Sequence, residues 1–262
     1  MNNIKKKILY RHINKCKTRR FGFTLAEVLI TLAIIGVVAA LTIPTLIQNQ
    51  QERATVTSLK KAYSMLSQAY LSAVNDNGTP DNWGFVTGQA AANNKLMMDT
   101  FAPYLKVTQN CGNNTGCWPS VTYNYLNTTN ASPYSLDTLA GGKAQLSDGT
   151  LLYFGTVNAT CSDASYGSTP ALSNACSIAI VDINGFKNPN QMGYDAFWFI
   201  VTKQGVVPMG TKDETSLNFA HCTDKSLASA SGMDCAAWVI YNGNQDYLHC
   251  SDLSWDGKHK CS

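Results

Sequence analysis

The chain has 262 residues, of which 45% are hydrophobic and 14% charged, with a formal net charge of +3. That length holds one sizeable domain or two small ones, the low charge and the lack of long polar tracts exclude a disordered chain, and no fixed-period repeat marks a solenoid or propeller. The charge is unevenly placed: residues 1–22 carry eight Lys/Arg (Lys5, Lys6, Lys7, Arg11, Lys15, Lys17, Arg19, Arg20) and no acid, which leaves twelve basic against seventeen acidic residues in 23–262. A mildly acidic body behind a basic leader argues against bulk nucleic-acid binding, and no nucleic-acid partner is expected.

Residues 23–47 read FTLAEVLITLAIIGVVAALTIPTLI, with Glu27 as the only charge. The apolar stretch reaches about 20 residues, enough for one bilayer crossing at about 1.5 Å per residue. The basic cluster before it, with none comparable after it, orients the N-terminus to the cytoplasm. A secretory signal would carry its small-residue cleavage site after the apolar core. Here the small residue, Gly22, precedes the core.

The string Arg20-Phe21-Gly22-Phe23-Thr24-Leu25-Ala26-Glu27, followed by the long apolar helix, resembles the prepilin cleavage/methylation motif of type IV pilins and type II secretion pseudopilins. The resemblance is close over roughly residues 17–75. It implies cleavage between Gly22 and Phe23 by a prepilin peptidase/methylase, methylation of the new Phe23 amine, and Glu27 as the assembly acid. It also implies that Gly36 and Pro44 soften or kink the helix. Localisation would be the bacterial inner membrane, single-pass with an extracytoplasmic head, and then a filament of homo- or heteropolymeric subunits in the envelope or on the cell surface. A lone carboxylate costs about 2.5–3.5 kcal/mol at the centre of a membrane helix on insertion scales, so it is retained when it has a partner. The amine freed at Phe23 of a neighbouring subunit supplies one, in a pairing that sets register. Snorkelling of Glu27 to the interface is the bland alternative.

Pro44 should kink the helix without ending it. Beyond it, Val56, Leu59, Tyr63, Leu66, Tyr70 and Ala73 recur at spacings of three and four, one apolar face of an amphipathic helix. The turn residues Asn75–Pro80 stop it, so the helix is expected over about 24–75, ~78 Å at 1.5 Å per residue. The organisation read from this is a leader over 1–22, a transmembrane and filament-core helix over 23–47, its amphipathic half over 48–75, and a globular head over 76–262.

In the head, Leu151–Val157, Ser177–Ile183 and Ala196–Thr202 read as strands, rich in β-branched and aromatic residues. Ser147–Thr150 is a turn feeding the first, and Gly205–Pro208 a hairpin return. Leu96–Leu105 reads as a short helix, and Ala236–Tyr241 as helix or strand. Short links between strands predict a mainly antiparallel sheet laid over the helix, an α+β class. The resemblance implies the same pilin-like head.

Nine cysteines are present, Cys16 in the leader and eight in the head: Cys111, Cys117, Cys161, Cys176, Cys222, Cys235, Cys250 and Cys261. An even set in an exported head reads as a disulfide framework, with sequence neighbours as the simplest of 105 pairings. Zinc is the rival reading, since His221, His249 and His259 lie near cysteines, but no Cys-x-x-Cys pair occurs. Asp182, Asn184 and Asp195 form a candidate calcium loop that starts like an EF-hand and departs from it at Phe186, Lys187 and Gly193. A connection built of turn residues explains the same string, and no other cofactor is implied. No hydrolase, metalloprotease, phosphate-loop or dinucleotide signature is present, so an enzyme is not expected, although a dispersed triad leaves no sequence signature. The sequons at Asn127 and Asn158 follow from an Asn/Thr-rich composition.

These features predict a structural filament subunit. Two alternatives stay open: a filament-tip binding module, favoured if Trp83, Trp118 and Trp255 are exposed in polar loops, and a membrane-anchored envelope protein that never polymerises.

Overall fold

The computed structural model of the chain describes residues 22–127, 135–216, 219–223 and 230–261. The leader up to Phe21, with Cys16 and Arg20, lies outside the described residues. By internal contacts the chain divides into two units, Met1–Gln48 and Asn49–Ser262.

In the first unit the described residues form the beginning of α1, a helix assigned without a break over Leu25–Asn77 with Pro44 inside it. Every large apolar side chain from Phe23 to Ile47 is exposed, by between 42% and 87%. The polar groups in this stretch turn inward on the helix. Thr31 donates to the Val28 carbonyl (3.0 Å), Thr42 to that of Val38 (2.9 Å) and Thr45 to that of Thr42 (2.9 Å). Such back-bonding leaves an almost wholly apolar outer surface, as lipid requires.

The second unit is a six-stranded antiparallel sheet in sequence order: β1 (Val107–Gly112), β2 (Gly142–Leu146), β3 (Leu151–Gly155), β4 (Ala175–Asp182), β5 (Ala196–Thr202) and β6 (Val206–Pro208). Strand residues alternate between its two faces. Leu152, Phe154, Ala179, Val181, Phe197, Phe199 and Val201 share a core with Leu59, Leu66, Tyr70 and Ala73 of α1. Tyr63 stacks on Phe199 with centroids 5.9 Å apart, and the Tyr70 hydroxyl donates to the Lys203 carbonyl (2.7 Å). Tyr153, Ile178, Ile180, Trp198 and Ile200 point to the other face, where they pack with Trp118, Tyr123 and Leu136 or with Leu172 and Met209. The expected antiparallel sheet over the amphipathic helix is the observed α+β fold.

The structure corrects or decides four local readings. The short helix begins six residues before Leu96: α2 spans Ala90–Phe101 and a 3-10 turn takes Ala102–Tyr104. Ala90, Ala91 and Ala92 favour helix without adding an apolar period. Strands β1 (VTQNCG) and β2 (GKAQL) carry too few β-branched or aromatic residues to signal themselves, and pairing with neighbours makes them strands. The ambiguous AAWVIY is helical, α4 (Ala236–Asn242), ended by Gly243 at φ 68°. The β3–β4 connection is long, running from Thr156 to Asn174.

Leu66 is fully buried between helix and sheet. Leu66→Ala should therefore destabilise the head by about 2–5 kcal/mol. Urea unfolding of the detergent-solubilised full chain followed by tryptophan fluorescence measures this; a shift under about 0.5 kcal/mol, typical of a surface site, would contradict the packing.

Candidate functional site

Two residues precede the first helical turn, Phe23 and Thr24. The Thr24 amide and hydroxyl both donate to Glu27 Oε2 (2.7 and 2.8 Å), and the Glu27 amide donates back to Thr24 Oγ1 (3.2 Å). This Thr-x-x-Glu arrangement is a capping box, in which two otherwise orphaned amides are satisfied reciprocally. Thr24 is the functional residue that the sequence reading passed over, and its signal was a threonine three places before the acid. Phe23 is exposed. A Cβ added at Gly22 would meet nothing within 4 Å, and the same holds for Gly36. Neither glycine is demanded by contacts among the described residues.

Four disulfides join sequence neighbours: Cys111–Cys117, Cys161–Cys176, Cys222–Cys235 and Cys250–Cys261. They leave the three histidines to other work. His221 Nδ1 lies 3.0 Å from Asp234 Oδ2, His249 Nε2 2.8 Å from Glu52 Oε1, and His259 Nε2 3.1 Å from the Trp255 carbonyl. Among the described residues no three His, Cys, Asp or Glu side chains converge as metal ligands.

The structure brings Asp182, Asn184 and Asp195 together. Asp182 Oδ2 accepts from the Tyr123 hydroxyl (2.5 Å), and Oδ1 from the amides of Asn184 and Gly185 (3.0 and 2.7 Å). Asp195 Oδ1 accepts from the Gln191 amide (2.7 Å), and Oδ2 from the Asn190 amide (2.9 Å) and Asn184 Nδ2 (3.0 Å). All four carboxylate oxygens accept from protein donors, while the side-chain carbonyl oxygens of Asn184 and Asn190 are buried beside them without a hydrogen-bond partner among the described residues. The two acids brace both shoulders of the loop between β4 and β5.

Of the tryptophans, Trp83 and Trp118 are buried, at 8% and 1% exposure, contrary to the expectation of exposed aromatics in polar loops. Each indole is anchored: Trp83 Nε1 donates to the Gly78 carbonyl (2.8 Å) and Trp118 Nε1 to that of Leu152 (3.4 Å). Trp255 is half-buried against Trp238 and Phe219 and donates to the Gly210 carbonyl (3.0 Å).

Burial raises several head carboxyls. Asp182 is pushed up to about 7 by burial and then by Asp195, and Asp195 is raised by burial. Burial, reinforced by Asp234, pushes Glu214 up to about 8, and burial pushes Asp234 up to about 6 against the opposing pull of His221. An acid whose folded pKa lies above its unfolded value near 4 binds more protons folded than unfolded across that window. Stability should therefore fall as pH rises from about 5 to about 8.5. Thermal unfolding at those two pH values should give the lower midpoint at the higher pH, and Glu214→Gln should shrink the difference. A midpoint that rises with pH would refute this account. Thiol labelling of the denatured, unreduced mature protein should find no free cysteine; two or more labelled would break the four-disulfide scheme.

The model of the prokaryotic N-terminal methylation motif matches residues 17–43, the segment that holds Gly22, the Thr24–Glu27 cap and the start of the apolar helix. A second family model, a family of unknown function (DUF6613), matches residues 45–243, from just after Pro44 through the sheet and into α4. No curated protein and no solved structure matches the chain. The residues after Pro44 thus follow one family pattern over most of the head, and the chain belongs to this family of unknown function, with the type IV pilin and pseudopilin signal motif at its N-terminus.

Proposed function

We propose that this protein is a structural subunit of a type IV pilus-like or type II secretion pseudopilus filament. In this reading a prepilin peptidase cuts after Gly22 and methylates the Phe23 amine, and residues 23–47 then pass from the inner membrane into the filament core. The observation that carries the proposal is the methylation motif at 17–43, coinciding with an exposed apolar helix. Two further features support it. Gly22 has no structural need to be glycine within the chain, as expected if its size is read by a peptidase. The helix start is closed by a cap that keeps Glu27 at the N-terminal turn, four residues from the amine that cleavage creates.

In this reading the role is structural and not enzymatic, as the pilin-type motif implies. Partners are the processing peptidase, the inner membrane and other pilin-type subunits. With two of the three flagged tryptophans buried, the tip-adhesin alternative loses its main support, and the filament-shaft reading is preferred.

Gly22→Val should block cleavage, and mass spectrometry of the wild-type mature chain should find it beginning at methylated Phe23. Glu27→Leu should leave membrane level and disulfides unchanged while strongly lowering the yield of sheared filaments. Leaving one side of a buried ion pair unpartnered costs about 3–5 kcal/mol. Glu27→Gln should be milder, since it keeps an acceptor. A mature chain starting elsewhere, or wild-type filament yield from Glu27→Leu, would favour the non-polymerising anchor.

A further inference from the structure

Residues 51–58 of α1 and the β4–β5 loop (183–195) enclose a groove of about 730 Å³. Its walls carry Gln51, Thr55 and Ser58 on the helix side and Lys187, Asn188 and Gln191 on the loop side, among others. Lys187 is the one cation among the described residues that line it. Asp195 is the one acid there, and its carboxylate already accepts from the amides of Asn190 and Gln191 and from Asn184 Nδ2. The groove therefore offers hydroxyls, amides and an ammonium, a set that suits a phosphate ester.

Next to Lys187 on the same loop stands Phe186, 55% exposed. The loop is held at both shoulders: Asp182 takes the amides of Asn184 and Gly185, and Asp195 takes those of Asn190 and Gln191. An exposed ring on a braced loop loses little freedom on docking. Of the charged residues on the two stretches that form the groove, the exposed ones, Arg53 and Lys187, are both basic. Glu52 is turned to His249 (2.8 Å), with its side chain only 14% exposed, and Asp195 is buried. Exposed cations beside an exposed ring are the combination that anionic interfaces attract.

The chain itself says which interface is at hand. Only Gln48, Asn49 and Gln50 separate Ile47, the last residue of the exposed apolar stretch, from Gln51. Four residue steps span at most about 14 Å, and the headgroup layer adds about 5–8 Å beyond the hydrocarbon on each side. A chain whose apolar stretch lies in a bilayer therefore keeps this groove within reach of the headgroups. So short a tether makes the encounter effectively intramolecular, an advantage that a second copy of the chain does not share. A phospholipid also answers both halves of the surface, with a phosphate for the groove and an apolar layer beneath it for Phe186.

We propose that the β4–β5 loop binds the bilayer surface, with Phe186 entering the interface and Lys187 holding the phosphate of an anionic phospholipid in the groove. The inference rests on the membrane part of the filament reading. The full-length protein, with Phe186 replaced by p-benzoylphenylalanine, is reconstituted into vesicles of phosphatidylcholine alone or mixed with phosphatidylglycerol, irradiated, and its adducts are identified by mass. Lipid adducts are expected at position 186, with phosphatidylglycerol over-represented in the mixed vesicles. The same probe in place of Leu71, exposed by 65% and about 30 Å farther along α1 at 1.5 Å per residue, should give none. Lys187→Gln should lower the phosphatidylglycerol adducts about fivefold, the equivalent of about 1 kcal/mol per basic residue near an anionic surface, and leave the phosphatidylcholine adducts unchanged. Both positions are exposed, so a full disulfide complement certifies folding of each variant. Equal lipid adducts at both positions, an adduct on a second copy of the chain in place of lipid, or phosphatidylglycerol adducts indifferent to Lys187→Gln overturns the contact. Flotation of the wild-type chain with the vesicles separates the two readings: a chain that floats without these adducts refutes the contact alone, whereas one that does not float refutes the membrane reading and this inference with it.

Discussion

Thirteen large apolar side chains between Leu25 and Ile47 lie exposed on one helix, and that exposure governs what the molecule must be. At about 25 cal/mol per Å² of apolar surface, so long a stretch does not persist in water. It needs lipid, other helices of its kind, or each in turn. The rest of the chain is arranged consistently with both environments. Polar side chains within the stretch bond back onto their own helix, so lipid and neighbouring helices meet the same apolar cylinder. In a membrane, association then depends on packing and on the few polar groups that remain.

The head solves a different problem, which is to hold long irregular segments against its sheet. Its sheet takes one face from α1 and covers the other with irregular segments, and irregular segments have much conformational freedom to lose. Four disulfides close short loops around the head, each removing unfolded-state freedom worth on the order of 2–3 kcal/mol in the chain-entropy picture. Buried charge does similar work at single points. Lys143 is fully buried on β2, where its ammonium donates to the carbonyls of Asp137 and Leu139 (3.1 Å for the latter). Asp137 in turn accepts from the amides of Gly116 and Trp118 and the Ser120 hydroxyl. One lysine and one aspartate thus tie the Cys111–Cys117 loop to the segment before β2.

Much of this was legible in the sequence because periodicity reports burial directly. The stripe from Val56 to Ala73 and the strands at Leu151, Ser177 and Ala196 are apolar in the pattern that their surroundings require, and the structure places them facing one another. The edge strand β1 was not legible, because an edge exposed to solvent needs no apolar alternation and VTQNCG shows none. The tryptophans misled for a related reason: Trp83 and Trp118 stand among polar residues in sequence, but their indoles reach inward and find carbonyls. At Asp182 and Asp195 the spacing suggested a shared site, and spacing alone cannot tell a cation from a set of amides, since both complete a carboxylate's shell. The hydrogen bonds from Asn184, Gly185, Asn190 and Gln191 show both acids bracing the loop.

The same distinction bears on Glu27. A carboxylate on an apolar helix is costly in lipid if unpartnered, but in this chain it is not unpartnered: two donors of Thr24 hold Oε2. The cap therefore lowers the cost of keeping an acid at the helix start before any neighbour is present. It also puts the carboxylate at the positive end of the helix dipole, where a negative charge is favoured. In the proposed filament, pairing with a neighbour's amine would then not rescue a naked charge; it would add a cation to a carboxylate already oriented by its own helix. An orientation fixed in advance leaves less freedom to lose on any pairing, so in the proposed filament the cap would favour assembly as well as insertion. Removing Thr24's hydroxyl and removing Glu27's charge thus act on one device from two sides, the first loosening the geometry and the second deleting the partner. The acid and the threonine three residues before it are best regarded as a single unit of function.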